Sequence, residues 1–461
     1  MMKQTLVLLT TLFLPLAAQA QLTTAAEKTA ARTIEPEDLR AHIGFLASDL
    51  LEGRGPGTRG DALAQQYIAT QFQLLGLKPA GPNGSYLQPF ELVGMMGHPE
   101  TLTFTTASGS TQLQYHEDFV AYSGVQAEVS SLQDSELVFV GYGIQAPEYE
   151  WDDFKGMDLR GKTLLILNSD PEDDPKLFAG KARLWYGRWD YKYAQAAKVG
   201  AAGAIIIHTT QSAGYPWQVV QTSWSGEQFE LPASGERPRL QVKAWATDEA
   251  SRQVVQLAGK DLDTLREAAR KRDFRPVPLG MKVSTRFATQ VRRRPTANVL
   301  ALLPGSDPKL AREVVLYTAH HDHLGAKADA KPGEDAIYNG AVDNASGVAA
   351  MLEVAKAFTA LPKAPPRSIL FAAVAAEEQG LLGSQYLAEH LPVHPGRVAA
   401  NVNIDGLNIH GRTRDVTVIG LGKSSLDKPL TALAHAQGRL VRADQLPDRG
   451  FFYRSDQFNF A

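Results

Sequence analysis

The run Val314-Val315-Leu316-Tyr317-Thr318-Ala319-His320-His321-Asp322-His323 decides how this chain is read. A short strand-like stretch, 314–319, ends in three imidazoles and a carboxylate. The pattern recurs downstream. Residues 369–376 form a second strand-like run that ends at Glu377-Glu378, and 398–404 a third that ends at Asp405. Helical runs, 348–358 and 384–390, separate them. Strands alternating with helices predict an α/β fold with a mainly parallel central sheet and helices on both faces. Ligands of such sheets bind outside the carboxyl ends of the strands, so three strand ends deliver His, Glu and Asp to one edge.

A fourth segment, Gly340-Ala341-Val342-Asp343-Asn344-Ala345-Ser346-Gly347, opens onto a helix with Val348, Met351, Leu352 and Ala355 on one face. Asp343 falls at that helix's N-terminal end, with Asn344 or Ser346 as the N-cap. Each piece alone has an ordinary reading: a structural histidine, a helix start favoured by the dipole, a turn. Together they bring several carboxylates to the ends of apolar strands, which is costly unless the charge is neutralised. A divalent metal, or two, neutralises it. The chain has no cysteine, so thiolate ligands, disulfides and a cysteine nucleophile are excluded. Imidazole and carboxylate donors put zinc first, with manganese and cobalt also compatible.

With these residues in place the chain resembles the co-catalytic two-zinc exopeptidases, of the bacterial leucyl aminopeptidase and glutamate carboxypeptidase type. The likeness rests on His320 with Asp322, on Asp343-Asn344-Ala345-Ser346-Gly347, on Glu377-Glu378 and on Asp405, in that order. Two stretches, Val140-Gly141-Tyr142-Gly143-Ile144 and Gly200-Ala201-Ala202-Gly203-Ala204-Ile205, resemble the protease-associated domain inserted in many members. The turn-rich loop Leu51-Glu52-Gly53-Arg54-Gly55-Pro56-Gly57-Thr58 is similar to one in secreted bacterial members. The resemblance implies two Zn2+ ions per active site and peptide substrates. It implies that Asp343 bridges both metals through a segment whose bond to Asn344 is cis. One metal then takes His320 and Asp405, the other Glu378 and a late histidine. Asp322 orients His320, Glu377 is the general base, and His321 and His323 are wall residues without ligand roles.

The rest of the chain fits an exported enzyme of two domains. Its 461 residues are 44% hydrophobic, ample for more than one core. Charged residues make up 21% and the formal net charge is −3, which leaves no electrostatic footprint for nucleic acid. Lys3, the apolar runs 6–9 and 12–16, and Ala18-Gln19-Ala20 predict a secretory signal over 1–20, cleaved before Gln21. The mature chain is then expected to be periplasmic or secreted, with no membrane insertion. A helix is predicted over 61–75, stopped at Gly76. Short strand-like runs at 137–144, 163–168 and 204–208, with dense aromatics from Trp185 to Trp224, predict a β-rich insert over 125–292. The peptidase domain is expected from 21–124 plus 293–461.

The late histidine is missing from its expected place. In many relatives it closes a Ser-Asp-His triplet, and here the stretch reads Ser455-Asp456-Gln457. A glutamine carbonyl is a poor zinc ligand. The expectation is that Gln457 is not the ligand, that the fifth ligand lies beyond Ala461 in a chain incomplete at its C-terminus, and that the Glu378 metal is the weaker. Aminopeptidase is the first reading, because the site's carboxylates suit a free N-terminus. The rivals are a carboxypeptidase, dipeptidase or glutaminyl cyclase relative on the same site, and a metal-free, receptor-like binding module.

Overall fold

The computed structural model describes residues 23–461 apart from 173, 234, 236, 237, 328 and 329. The expected signal segment, 1–20, lies outside the described residues. Strands Val398–Asn403, Val314–His320 and Ser368–Val374 lie side by side in that order and run parallel. Their side chains explain the arrangement. Ile369, Phe371 and Ala373 pack with Phe72, Val348, Met351 and Leu352, from helices Arg59–Leu74 and Gly347–Thr359. The alternate residues Leu370, Ala372 and Val374 join a second core with Leu387 of helix Leu382–Glu389. A strand buried on both faces must be apolar throughout, and all of Ser368–Val374 is buried. Truncating Phe371 to alanine there would cost about 3–5 kcal/mol. Helices therefore cover both faces of the sheet, as the alternating pattern predicts.

Ser368–Val374 is flanked on its other side by an antiparallel strand, Val277–Leu303, of 27 residues. Its C-terminal part also pairs with Leu87–Gly97, while its N-terminal part pairs with Val129–Phe139. From there the pairing continues in parallel through Thr163–Leu167, Gly203–His208 and Val242–Thr247, closed by the antiparallel strand Phe119–Ser123. One long strand thus carries the backbone pairing from the first sheet to the second. Pairing passes from Val129–Phe139 to Leu87–Gly97 between Ala288 and Thr289, close to the expected division at 292/293. The other division, 124/125, falls after Thr101–Thr106, Gly109–Gln114 and Phe119–Ser123, all of which pair within the second sheet.

The aromatics of the middle region are packing residues. Trp224 lies between Trp189 and Tyr193, each with ring centroids 5.6 Å away, and Trp245 at 6.1 Å. Between these layers sits a buried charge. Lys192 donates to the carbonyls of Tyr142 at 2.7 Å and Ser169 at 2.8 Å. Burial brings its ammonium down to about 7, against the pull of Asp170 and Asp153. Among the described residues no helix is long and apolar enough to cross a membrane.

Candidate metal centre

The site forms where the three parallel strands end. His320 is the last residue of its strand and fully buried. Its Nε2 lies 3.0 Å from Asp343 Oδ1 and 3.3 Å from Asp405 Oδ1. The other ring nitrogen, Nδ1, faces Asp322, 3.2 Å from its carbonyl and 3.6 Å from its carboxylate. That carboxylate also accepts from the backbone N–H groups of Glu377 at 3.1 Å and Glu378 at 3.4 Å. Asp322 therefore ties the first strand end to the second, which fixes both the ring plane of His320 and the turn carrying the glutamates.

Two groups of ligand-type atoms result. His320, Glu377 and Asp405 converge in one, and His323, Asp343 and Glu378 in the other, each set lying within 4.8 Å. Among the described residues neither group draws on 125–292, where His208 is engaged with the Tyr215 carbonyl at 3.1 Å. Burial pushes the Glu377 carboxyl well above the ordinary range; His320 opposes the shift, and Asp456, Asp405 and Asp322 add to it. The Asp343–Asn344 bond is cis, as the resemblance implies. Ser346 is the N-cap residue of the following helix, but the side-chain bond comes from Asn344, whose Oδ1 accepts from Gly347 N at 3.0 Å and from Gly406 N at 2.8 Å. Its side chain so joins the Asp343 loop to the segment after Asp405.

The orientation of Asp405 is set from the C-terminal segment. Ser455 donates to Asp405 Oδ2, and Asn403 donates to Ser455 Oγ at 2.7 Å. Gln457 is occupied at both ends, accepting from Asn403 at 3.0 Å and donating to the Phe452 carbonyl at 2.9 Å. His321 is fully buried beside the site. Its Nε2 meets Asp61 Oδ1 at 3.0 Å, and Asp61 in turn accepts from Thr296 at 2.7 Å and Gly57 N at 2.8 Å.

Residues 298–461 match the sequence pattern of Peptidase family M28. That matched segment is similar to M28 peptidases. It contains every residue of both ligand groups. Among proteins similar to it, Aminopeptidase NAALADL1 of Mus musculus is 32% identical over 133 residues, 28% of this chain and 16% of its own. A probable zinc metalloprotease of Pyrenophora teres f. teres (strain 0-1) is 36% identical over 149 residues, 31% of this chain and 26% of its own. The chain thus covers about a quarter or less of these relatives' lengths. An aminopeptidase from Aneurinibacillus sp. strain AM-1 shares the fold, with a TM-score of 0.52 at 21% identity over 94% of this chain and 84% of that one.

One residue beside the M28 segment was not singled out by its sequence. Arg54 is 1% exposed. Its guanidinium donates to the carbonyls of His321 at 2.8 Å, Asn339 at 2.7 Å, Gly340 at 2.9 Å and Leu46. It thereby clamps the loop after the first strand to the loop that carries Asp343. Burial brings it down only to about 10, with the carboxylates of Asp322, Asp343 and Glu378 opposing the fall, so it stays charged. The turn that aims it needs glycine at 53: φ is +70°, and a Cβ there would come within 2.3 Å of the Gly325 carbonyl.

Proposed function

We propose that this chain is a metal-dependent exopeptidase, an aminopeptidase that removes N-terminal residues from peptides with two zinc ions and a glutamate general base. The observation that carries the reading is the contact of His320 Nε2 with both Asp343 and Asp405, beside a half-buried Glu377. The donor set fits zinc: imidazole nitrogens and carboxylate oxygens, with no thiol in the chain. His323 Nδ1 and Glu378 Oε1 are dry and lack hydrogen-bond partners, as atoms awaiting a cation would be. His320 and Asp405 would hold one ion and Glu378 the other, with Asp343 between them. When bound, the ions polarise the scissile carbonyl and acidify a water molecule.

The protein's own groups do the rest. Glu377 accepts a proton from the attacking water and hands it to the leaving amine, and its burial favours holding that proton between the two events. Asp322 is a positioning residue that keeps His320 Nε2 aimed at the two aspartates. The free amino group of the substrate sits beside Asp405 and its neighbouring carboxylates. We further infer that 21–124 with 293–461 make the peptidase domain and 125–292 an inserted protease-associated domain, and that the signal over 1–20 exports the chain. These last two readings are supported by the sequence motifs alone.

Metal analysis joined to hydrolysis of an aminoacyl arylamide panel tests the activity. Zinc-dependent release from free amino substrates, abolished by N-acetylation, is expected. Hydrolysis that survives N-terminal blocking would move the activity to a carboxypeptidase. Cyclisation of N-terminal glutamine would make it a glutaminyl cyclase, and binding without turnover a receptor-like module.

A further inference from the structure

Four arginines gather around Tyr215, where loops of the second sheet reach the strand ends: Arg183, Arg188, Arg449 and Arg454. Arg183 and Arg188 precede helix Trp189–Lys198, and Arg454 precedes Ser455, the donor to Asp405. The two segments are fastened to each other. Arg183 N donates to the Pro447 carbonyl at 3.0 Å, Arg449 donates to the Gly214 carbonyl, and the Trp185 ring lies 4.7 Å from that of Phe458. A Cβ on Gly450 would come within 3.2 Å of Arg183 Cδ, so the approach is close.

The anions are unequally shared. Arg183 faces Asp170 and Asp448, and Arg449 Nε lies 3.8 Å from Asp448 Oδ2. Arg188 Nε lies 3.5 Å from Asp190 Oδ1 but makes no hydrogen bond, although it is buried. Arg454 has no carboxylate at ion-pair distance among the described residues. Its guanidinium stands over the Phe451 ring, 5.5 Å from the centroid. Part of Arg454 is open to solvent. Desolvation of the rest and then the Arg188 charge hold it below its ordinary value, with Tyr215 and Glu377 opposing. An under-paired cation therefore stands within electrostatic reach of Glu377 without bonding to it, which leaves room for an anion beside both arginines.

The reaction puts a candidate anion there. Glu377 must come within about 2.6–3.2 Å of the leaving nitrogen to hand on its proton. The carboxylate carbon of the leaving residue is two bonds, about 2.5 Å, further along. A guanidinium's planar fork matches that group. We propose that Arg454, with Arg188, binds a carboxylate of the substrate, so that the enzyme prefers peptides carrying one next to the scissile bond: the terminal carboxylate of a dipeptide, or an acidic side chain of the same chemistry. This rests on the aminopeptidase reading above.

The test is kcat/KM of the zinc-loaded protein on paired substrates that differ in one carboxylate. Leu-Gly against Leu-Gly amide probes the terminal group, and glutamyl against glutaminyl arylamide the side chain. The charged member of one pair is expected to be favoured by at least about 10-fold, the scale of one charge-assisted hydrogen bond. The ratio is taken within each variant, so a loss of folded or loaded protein cancels. Arg454→Gln should abolish the preference, Arg454→Lys should keep part of it, and Arg188→Gln should lower it by a smaller factor. Calorimetry on the slow Glu377→Gln background should show the same preference in binding, removed by adding Arg454→Gln. A preference for Leu-Gly assigns the terminal carboxylate, and one for the glutamyl arylamide the side chain. A preference that Arg454→Gln leaves intact would overturn the proposal. Hydrolysis of free-amino substrates with no preference in either pair overturns this inference alone, and no hydrolysis of any of them overturns the aminopeptidase reading with it.

Discussion

Replacing Arg54 by methionine is expected to destabilise the part of the fold around the parallel strands by about 3–5 kcal/mol, the range for breaking a buried charged network from one side. The structure supplies the terms. Four carbonyls, on three separate segments, lose donors at once. Hydrogen bonds from a charged donor contribute about 1.5–3 kcal/mol each, so the gross loss is roughly 6–12 kcal/mol. Methionine recovers several kcal/mol, because the guanidinium no longer has to be stripped of water. For a cooperative unit of 150–250 residues the net change lowers the melting temperature by about 6–20 °C. Arg54→Lys should regain less than half of it, since one ammonium cannot span carbonyls that a planar fork reaches. Urea unfolding gives the free energy, and hydrogen exchange over 320–347 gives the place. The loss should be larger without zinc than with it, because Arg54 then offsets Asp322, Asp343 and Glu378 without the ions' charge. A methionine variant within about 1 kcal/mol of wild type, or full rescue by lysine, would refute the clamp.

Other outcomes follow from single sites. Glu377→Gln should keep the fold and the bound zinc while turnover falls at least ~100-fold, read by arylamide hydrolysis beside metal analysis. Lys192→Met leaves Asp153 and Asp170 without their buried cation and should cost about 3–5 kcal/mol, measured by thermal unfolding. His208 is held low by burial, the hydrogen bond to the Tyr215 carbonyl opposing the shift. Its unfolded form gains a proton that the folded form resists, so stability is full above about pH 6.5 and declines as the pH falls below it. His208→Gln should flatten that slope in unfolding curves taken between pH 7 and 5.

The strand ends were legible because their signal is local. Ser368–Val374 reads as one apolar run, for it is buried on both sides, and Glu377 and Glu378 follow within a few residues. The helix Arg59–Leu74 was legible within two residues, as was its stop at Gly76, where φ is +71°. What stayed hidden is non-local. Nothing near Arg54 in sequence says that its partners stand more than 260 positions away at His321, Asn339 and Gly340. Asp61 reads as one more polar residue of an amphipathic helix, and only the fold brings it to His321. The pairing of Thr101–Thr106 and Phe119–Ser123 with the second sheet depends on strands more than a hundred residues later.

The charge around the strand ends gives these parts a common cause. Asp322, Asp343, Glu377, Glu378, Asp405 and Asp456 gather there, and Arg54 is the guanidinium set among them. Asp456, fully buried, is pushed up to about 7, first by burial and then by its acidic neighbours, with His320 opposing. Arg54, with Arg454 near Glu377, cannot neutralise six carboxylates, and protonating several of them would leave the imidazoles of His320 and His323 aimed at neutral acids. Divalent ions at the two ligand groups would resolve the excess without disturbing the backbone that Arg54 and Asn344 hold. The same excess accounts for the position of the clamp. A guanidinium fixed to carbonyls of both loops keeps like charges at ligand distance, so a site of this kind would be organised before any ion entered it.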